Sequence, residues 1–421
     1  MKTRILLTLI ATTATMSAQA TNGYFRLGYG ANSIAMGGTG TALAQDGLAG
    51  AVNPATIFGV KQDFTLALSV FNPQRGFEVT GAAPSDATSS KDFPLTNGKV
   101  QSDNEYFLIP SFAYKTELND DLALSVSVYG NGGMNTQYSE SVFYAGKTGV
   151  DLSQVFLNTS VAYKVSNNTQ IGVAPILALQ SFEAKGVGSF ASFSSSPSKV
   201  SDNGQDTVFG YGARIGIAHQ LNENIHLGAS YQTKIDFERF EKYEGLFAEQ
   251  GDMDVPSTYN LGVAFDNNDF TIALDYQVIN YSQTDAVANP LMPNIGKAQM
   301  GMADYRLGAD NGAGFGWNDM EIIKLGGALK RNNGDVIRGG VSYGEQPIDS
   351  SEVLFNILAP GVQEWHFTAG YEFGDIDSRY SVALSYSPSK SVKGKNQLYQ
   401  SNEQFIEIEM EQYELTFAAA F

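Results

Sequence analysis

The sequence predicts an all-β fold: a single fourteen-stranded antiparallel transmembrane β-barrel. Three observations carry this reading. Apolar residues recur at every second position through one segment after another, which is the pattern of strands with two unlike faces. Tight turns alternate with long loops along the chain, as in a barrel whose two ends differ. The chain then closes on Tyr413, Leu415, Phe417, Ala419 and Phe421, an apolar stripe that runs to the last residue.

From the N-terminus, Lys2 and Arg4 precede an apolar run from Ile5 to Ala11, and Ala18-Gln19-Ala20 supplies small residues. Residues 1–20 therefore read as an export signal cleaved after Ala20. Cysteine is absent, which removes disulfides and thiolate metal sites from an exported protein. The formal net charge of −18 becomes more negative when Lys2 and Arg4 are lost, which excludes nucleic acid as a partner. No later stretch approaches the ~18 consecutive apolar residues of a membrane helix. Aromatic residues nonetheless make up 12%, with 21 Tyr and 26 Phe, enough to furnish the girdles of a lipid-facing barrel.

Residues 21–60 are too irregular for strands and too broken for a long helix. Small residues in "LAGAVNPATIF", Leu48 to Phe58, suit backbone packed inside a narrow lumen. Asn53-Pro54 is expected to break the helical tendency before the first strand. Residues 61–421 are assigned as the barrel itself, since no linker or composition shift divides them.

Alternating segments fall at 62–80, 104–117, 120–138, 152–165, 169–185, 207–221, 224–240, 255–265, 269–283, 319–331, 334–345, 362–374, 377–389 and 404–421. In "EWHFTAGYEF", Trp365, Phe367, Ala369, Tyr371 and Phe373 oppose Glu364, His366, Thr368, Gly370 and Glu372. Turns such as "SNNT" at Ser166, "DNND" at Asp266 and "NNGD" at Asn332 are short and made of turn formers. The loops between them span 81–103, 139–151, 186–206, 241–254, 284–318, 346–361 and 390–403. In the last segment Ile406, Ile408 and Met410 are even-numbered and apolar while Tyr413 and Leu415 are odd-numbered. Either a bulge near Glu411 or emergence from the bilayer accounts for that switch. The third segment abandons its alternation at Gly130-Asn131-Gly132-Gly133, where glycines mark a bulge or a bend.

Candidate chemistry is sparse. Gly28-Tyr29-Gly30 and Gly37-Gly38-Thr39-Gly40 lack the strand and helix of a nucleotide site. His219, His226 and His366 sit on separate strands, with no serine placed for catalysis, so no enzyme is expected. Asp304, Asp310 and Asp319 do not match a calcium loop, and neither metal nor cofactor is expected. Apolar residues do occur where exposed loops do not need them: Phe190 and Phe193; Leu246, Phe247 and Met253; Leu291, Met292, Met300 and Met302.

The segment "TNGYFRLGYGANSIAMGGTGTALAQDGLAGAVNPATIF" with its Asn53-Pro54-Ala55, the run "VYGNGGMNTQY" and the terminal Phe421 together resemble the FadL family of outer-membrane transporters for long-chain fatty acids and other hydrophobic molecules, and the resemblance implies a small N-terminal hatch, residues 21–60, in the periplasmic half of the lumen. The segments "SYQTKIDFE", "GWNDMEIIKLGG" and "VSYGEQPI" fit as well, so the resemblance covers nearly the whole exported chain. It implies residence in a bacterial outer membrane, among lipid and lipopolysaccharide, as a monomer assembled by the barrel machinery through Phe421. It also implies a hydrophobic ligand held near Tyr24, Phe25, Phe182, Phe190 and Phe247, with Lys185 placed to meet a carboxylate. Gly130, Gly132 and Gly133 would then mark a lateral exit. A second basic residue before Trp317 is missing, with Arg306 and Lys297 as the nearest alternatives, which leaves aromatic or alkane hydrocarbons as ligands. A water-filled porin and an adhesin or structural barrel are the rival classes.

Overall fold

The computed structural model describes residues 22–375 and 377–421; the expected cleavage site after Ala20 lies outside them. Fourteen strands form the wall: β1 Phe64–Gly81, β2 Phe107–Asn119, β3 Leu122–Tyr138, β4 Thr148–Ser166, β5 Thr169–Lys185, β6 Asp206–Gln220 and β7 Ile225–Gln232 make the first half. The second half is β8 Thr258–Asp266, β9 Phe270–Ile279, β10 Met320–Lys330, β11 Val336–Gly344, β12 Trp365–Gly374, β13 Arg379–Lys395 and β14 Gln404–Ala420. Each strand pairs antiparallel with its sequence neighbours, and β1 returns to β14 in register from Thr65↔Ala420 to Gly81↔Gln404. Two short strands, Gly98–Gln101 and Asp236–Phe237, add to β1 and β6 outside this circuit.

The switch in the last strand is resolved by β14 itself. Ile406, Ile408, Met410, Gln412, Glu414 and Thr416 all point inward without a break, and the register with β1 is continuous. Along the outside, Leu415 and Phe417 give way upward to Glu411, Glu409 and Glu407. The strand therefore leaves the bilayer with its polarity exchanged: apolar outside and polar inside at membrane level, then charged outside and apolar inside above it. Strand β4 repeats this, with buried Asn158 and Ser160 low in the lumen and buried Leu152 and Val150 higher up. The same emergence explains why β13 runs on past residue 389. Beyond a bulge between Ser387 and Lys390, its outward Lys393 and Lys395 meet Glu407 and Glu403 in water.

One expected strand, 224–240, is cut short at Gln232. Ile235 turns in to bridge Val255, and Phe237 lies against Gly210, where a Cβ would stand 2.6 Å from the ring. The apolar alternation there serves a loop core, not a lipid face.

The hatch crosses the lumen. Its α-helix, Ala31–Ala35, packs Ala31, Ile34 and Ala35 on Ala383 of β13. Asn53 does not merely end a helix: it separates two 3-10 turns, Gly47–Ala51 and Pro54–Gly59, and caps the second by accepting from Ala55 N at 3.0 Å. Its amide also donates to Thr41 O at 2.7 Å and to Ile217 O of β6 at 3.0 Å, tying hatch to wall. The wall yields space here because Gly216 and Gly172 face inward, where a Cβ would lie 1.9 Å from Asn53 Oδ1 and 2.4 Å from Ala55 N. Charged groups finish the docking: Arg26 pairs with Glu414, Lys324 Nζ donates to Leu27 O at 2.9 Å, and Asp275 accepts from Gly40 N, Thr41 N and Thr41 Oγ1.

Gly216→Val should leave the barrel closed and expel Asn53-Pro54 from the wall. The expected result is normal heat-modifiable migration together with a several-fold rise in single-channel ion conductance over the parent; unchanged conductance would show that the hatch does not depend on this contact.

Candidate functional site

The upper lumen is filled from both directions. Val150 and Phe182, inward-facing on β4 and β5, meet Phe190, Leu246, Phe247, Leu307, Phe315, Phe355 and Leu358 from the folded outer loops around an apolar cavity of ≈ 40 Å³. Phe182 is the hub, with ring centroids at 4.7 Å from Phe247, 4.9 Å from Tyr243 and 5.6 Å from Phe240. Phe190 stands 5.1 Å from Phe355 and 5.2 Å from Phe143. A space this small lies well below the ~300 Å³ or more of a typical ligand pocket, so occupancy requires rings or loops to part.

No basic side chain lines the cavity. Lys185 is a correction to the expectation: on β5 the inward positions are Phe182 and Ala184, so Lys185 points out and pairs with Glu183 at 2.9 Å. Neither named alternative reaches inside, because Lys297 lies over the Tyr305 ring at 4.1 Å and Arg306 contacts Ser194 O.

Tyr24 and Phe25 occupy a second place, lower and nearer the wall. Phe315 connects the two: its ring is 6.3 Å from Trp317, which lies 5.9 Å from Tyr24 and 5.1 Å from Tyr281. Tyr24 stacks on Phe25 at 5.4 Å. Polar edges of this cluster are satisfied. Trp317 Nε1 donates to Asn356 Oδ1 at 2.6 Å, and Tyr281 Oη donates to Asn22 O at 2.6 Å while accepting from Tyr24 N at 3.1 Å.

Beside the cluster the wall is interrupted. Pairing of β2 with β3 ends at Ser111↔Tyr129, and the upper part of β2 continues only with β1. On the other edge of β3, Gly130↔Val155 is followed by Gly132↔Gln154, so Asn131 is a bulge. Hatch backbone takes the place of the missing strand: Arg26 N donates to Asn131 O at 3.2 Å and Gly133 N to Tyr24 O at 3.1 Å. Gly132 must lack a Cβ, which would fall 1.6 Å from Tyr24 O. The bulge is fixed by a relay of amides. Tyr29 Oη donates to Asn131 Oδ1 at 2.7 Å, Asn131 to Gln154 at 3.0 Å, Gln154 to Gln180 at 3.0 Å and Gln180 to Met253 O at 2.8 Å. A small cavity of ≈ 20 Å³ beside the interruption is lined by Gly23, Gly133, Met134, Trp317, Met410 and Arg75. The apolar cavity, the aromatic cluster and the gap thus form one continuous series from outer loops to wall.

Residues 7–417 match the family described as "Outer membrane protein transport protein (OMPP1/FadL/TodX)". The chain belongs to this family. It is therefore an outer-membrane protein of a family of transporters for hydrophobic compounds. Outer membrane protein P1 of Haemophilus influenzae is 26% identical over 231 residues, 47% of this chain and 50% of that protein, so the match spans half the length of that relative. The toluene transporter TodX of P. putida superposes with a TM-score of 0.63 at 17% identity, covering 94% of this chain and 99% of TodX. A FadL homologue of Pseudomonas aeruginosa gives 0.67 at 15%, covering 95% and 99%; at such identities these two likenesses show the fold alone.

Several members of the series escaped the sequence reading. Tyr281 fell inside the expected strand 269–283, which ends at Ile279, and Phe315 lies in a long loop with no periodicity to flag it, although Trp317, one of only two tryptophans, marks the place. Asn131 was passed over for the glycines on either side of it.

Phe182→Ala should cost about 3–5 kcal/mol, measured as faster hydrogen exchange through residues 240–247 while the β1–β14 amides stay protected; equal protection in both regions would deny Phe182 its place as hub. Asp252, in the loop above β8, has its carboxyl pushed up to about 6 by burial and by Asp254 beside it. A raised acid favours the folded form in its protonated state, so packing of residues 244–257 should tighten as pH falls from 8 to 5. Asp252→Asn should erase that dependence in exchange measurements corrected for intrinsic rates.

Proposed function

We propose that this protein takes up hydrophobic molecules passively across the outer membrane, long-chain fatty acids foremost, and releases them sideways through the interruption beside β3. The observation that supports this best is the unbroken series from the apolar cavity through Phe315 and Trp317 to Tyr24, Phe25 and Gly132. Outer loops capture the ligand, and the parted ring cluster around Phe182, Phe190 and Phe247 holds it. Each buried methylene contributes about 0.8 kcal/mol, so a chain of ~ten offers ~8 kcal/mol before ordering costs, and no energy source is needed. Movement of Tyr24 and Phe25 in the hatch then opens the way out, past residues 130–133.

A second reading has an observation of its own. No basic side chain lines the cavity, and TodX is described as a toluene transporter, so a neutral aromatic hydrocarbon fits the capture site at least as well as a carboxylate does.

Uptake of labelled oleate and labelled toluene by cells with and without the protein separates the two ligands, and no difference for either would end the transport reading. Deleting Asn131 removes the bulge and restores register between β3 and β4. Uptake should then fall more than tenfold in a barrel that still folds, whereas normal uptake would sink lateral release.

A further inference from the structure

The interruption between β2 and β3 is open at membrane height and closed again above it. Its β2 edge is prepared for the opening. Lys115 N donates to Asp63 O at 2.7 Å and the register with β1 runs on through Leu68↔Pro110, so odd-numbered residues of β2 bond to β1 and even-numbered ones turn their backbone toward β3. Pro110 therefore stands at the free edge, one place beyond the last pair, Ser111↔Tyr129, and brings no donor to it.

Higher up, β1 and β3 are joined without a strand between them. Arg75, inward-facing on β1 and 2% exposed, reaches across: Nε donates to Asn135 O and Nη2 to Asn135 Oδ1 at 2.9 Å. Its Nη1 donates to Pro73 O at 2.8 Å, and the guanidinium carbon lies 5.4 Å from the centre of the Phe107 ring. The segment leading into β2 completes the seam. Ser102 N donates to Arg75 O at 2.9 Å, Asp103 N to Gln137 O at 2.7 Å, Gln137 N to Ser102 Oγ at 3.0 Å and Asn104 Nδ2 to Asn135 Oδ1 at 3.2 Å. Each guanidinium nitrogen has a protein partner, so Arg75 ties wall to wall and is not left waiting for an anion.

Height decides what the tie does. Outward on β1, Leu66, Leu68 and Val70 give way to Asn72 and Gln74 just below Arg75, so the tie sits where lipid headgroups begin and the interruption beneath it faces acyl chains. The cavity of ≈ 20 Å³ that Arg75 lines reaches Trp317 past Gly133 and Met134. Hydrogen bonds from a charged donor are the strong ones, whereas hatch backbone covers the opening through two neutral ones, Arg26 N to Asn131 O and Gly133 N to Tyr24 O. The hatch yields first, and Arg75 stays.

We propose that Arg75 is the lintel of the lateral opening. It makes the interruption a window bounded above, through which a slender single-chain molecule leaves at acyl-chain height. Bilayer phospholipids, whose headgroups stand at the height of the tie, are kept from entering by the same way. A wall open to the rim would let a headgroup follow its tail into the lumen. The lintel rests on the lateral-release reading above and adds selectivity to it.

The test uses the full chain with Trp365→Phe, because Trp365 faces lipid, and the other tryptophan, Trp317, is 2% exposed and lines the cavity under Arg75. In phosphatidylcholine vesicles it is given either stearic acid dibrominated at mid-chain or a phosphatidylcholine carrying the same brominated chains, and quenching of Trp317 fluorescence is read. The acid should quench several-fold more than the phospholipid. Arg75→Met should raise phospholipid quenching to the level of the acid, Arg75→Lys should fall between, and heat-modifiable migration checks that each variant folds. A parent quenched equally by both, or a phospholipid still excluded from Arg75→Met, overturns the lintel, while entry of the acid leaves lateral release standing. If the acid never quenches but Arg75→Met admits the phospholipid, lateral release of acids fails and the lintel stands. If neither lipid quenches any variant, both fall.

Discussion

Every backbone amide that meets lipid must be paired within the protein, because an unpaired one in hydrocarbon costs several kcal/mol. That constraint forces β1 back onto β14 and sets the outward polarity of each strand. It also defines where the fold has freedom: above the bilayer and inside the lumen. Above the bilayer, water meets the outer face and Glu407, Glu409 and Glu411 can stand there, so the lumen at the same height is released to be apolar. Ile406, Ile408, Val150 and Leu152 use that release. A hydrophobic cavity thus lies high in the barrel for the same reason that the lipid-facing girdle lies low.

On the proposed route the lower lumen solves a different problem, that of holding a plug that must also move. Asn53 of the hatch bonds to wall backbone at Ile217 O, and Asp275 and Lys324 of the wall bond to hatch backbone; such hydrogen bonds contribute about 0.5–3 kcal/mol net, the charged ones at the upper end, because water can replace either partner. Buried pairs such as Arg26–Glu414 demand geometry and give back little beyond their desolvation cost. An apolar plug of equal area would be held by about 25 cal/mol for every Å². Polar docking against inward glycines therefore places the hatch closely without fixing it permanently.

Periodicity made most of the wall legible. The limits of β3, β5 and β14 follow the alternation to within about two residues, since facing lipid enforces it. The pattern misled where a segment left the lipid: Ile235 and Phe237 continued the alternation but served loop packing, and the polar outer face of β13 concealed its last turn of strand. Of the site, Phe182, Phe190 and Phe247 were visible as apolar residues misplaced in loops or at a strand top. Lys185 was misjudged because proximity along the chain was allowed to outweigh parity: an inward Phe182 makes an outward Lys185 unavoidable. Tyr281 fell inside an expected strand and Asn131 inside an expected bulge, but what each does there is decided by partners far away in sequence, Asn22 and Tyr29.

The interruption beside β3 is the place where the two solutions meet. Asn131 O and Gly133 N would be unpaired in the wall, and the hatch supplies their partners at Arg26 N and Tyr24 O. The N-terminal segment is thus a plug for the lumen and a patch for the wall at once. Lifting it leaves those two backbone groups unmet, so it can be displaced only if something else satisfies them. Water entering from the polar lumen beneath does so at small cost, and the amide relay from Asn131 through Gln154 to Gln180 keeps the bulge in shape meanwhile. A purely apolar passage at that height would have had no means of opening. On the proposed lateral route, the polar layer below the hydrophobic cavity is what would let the wall beside it part.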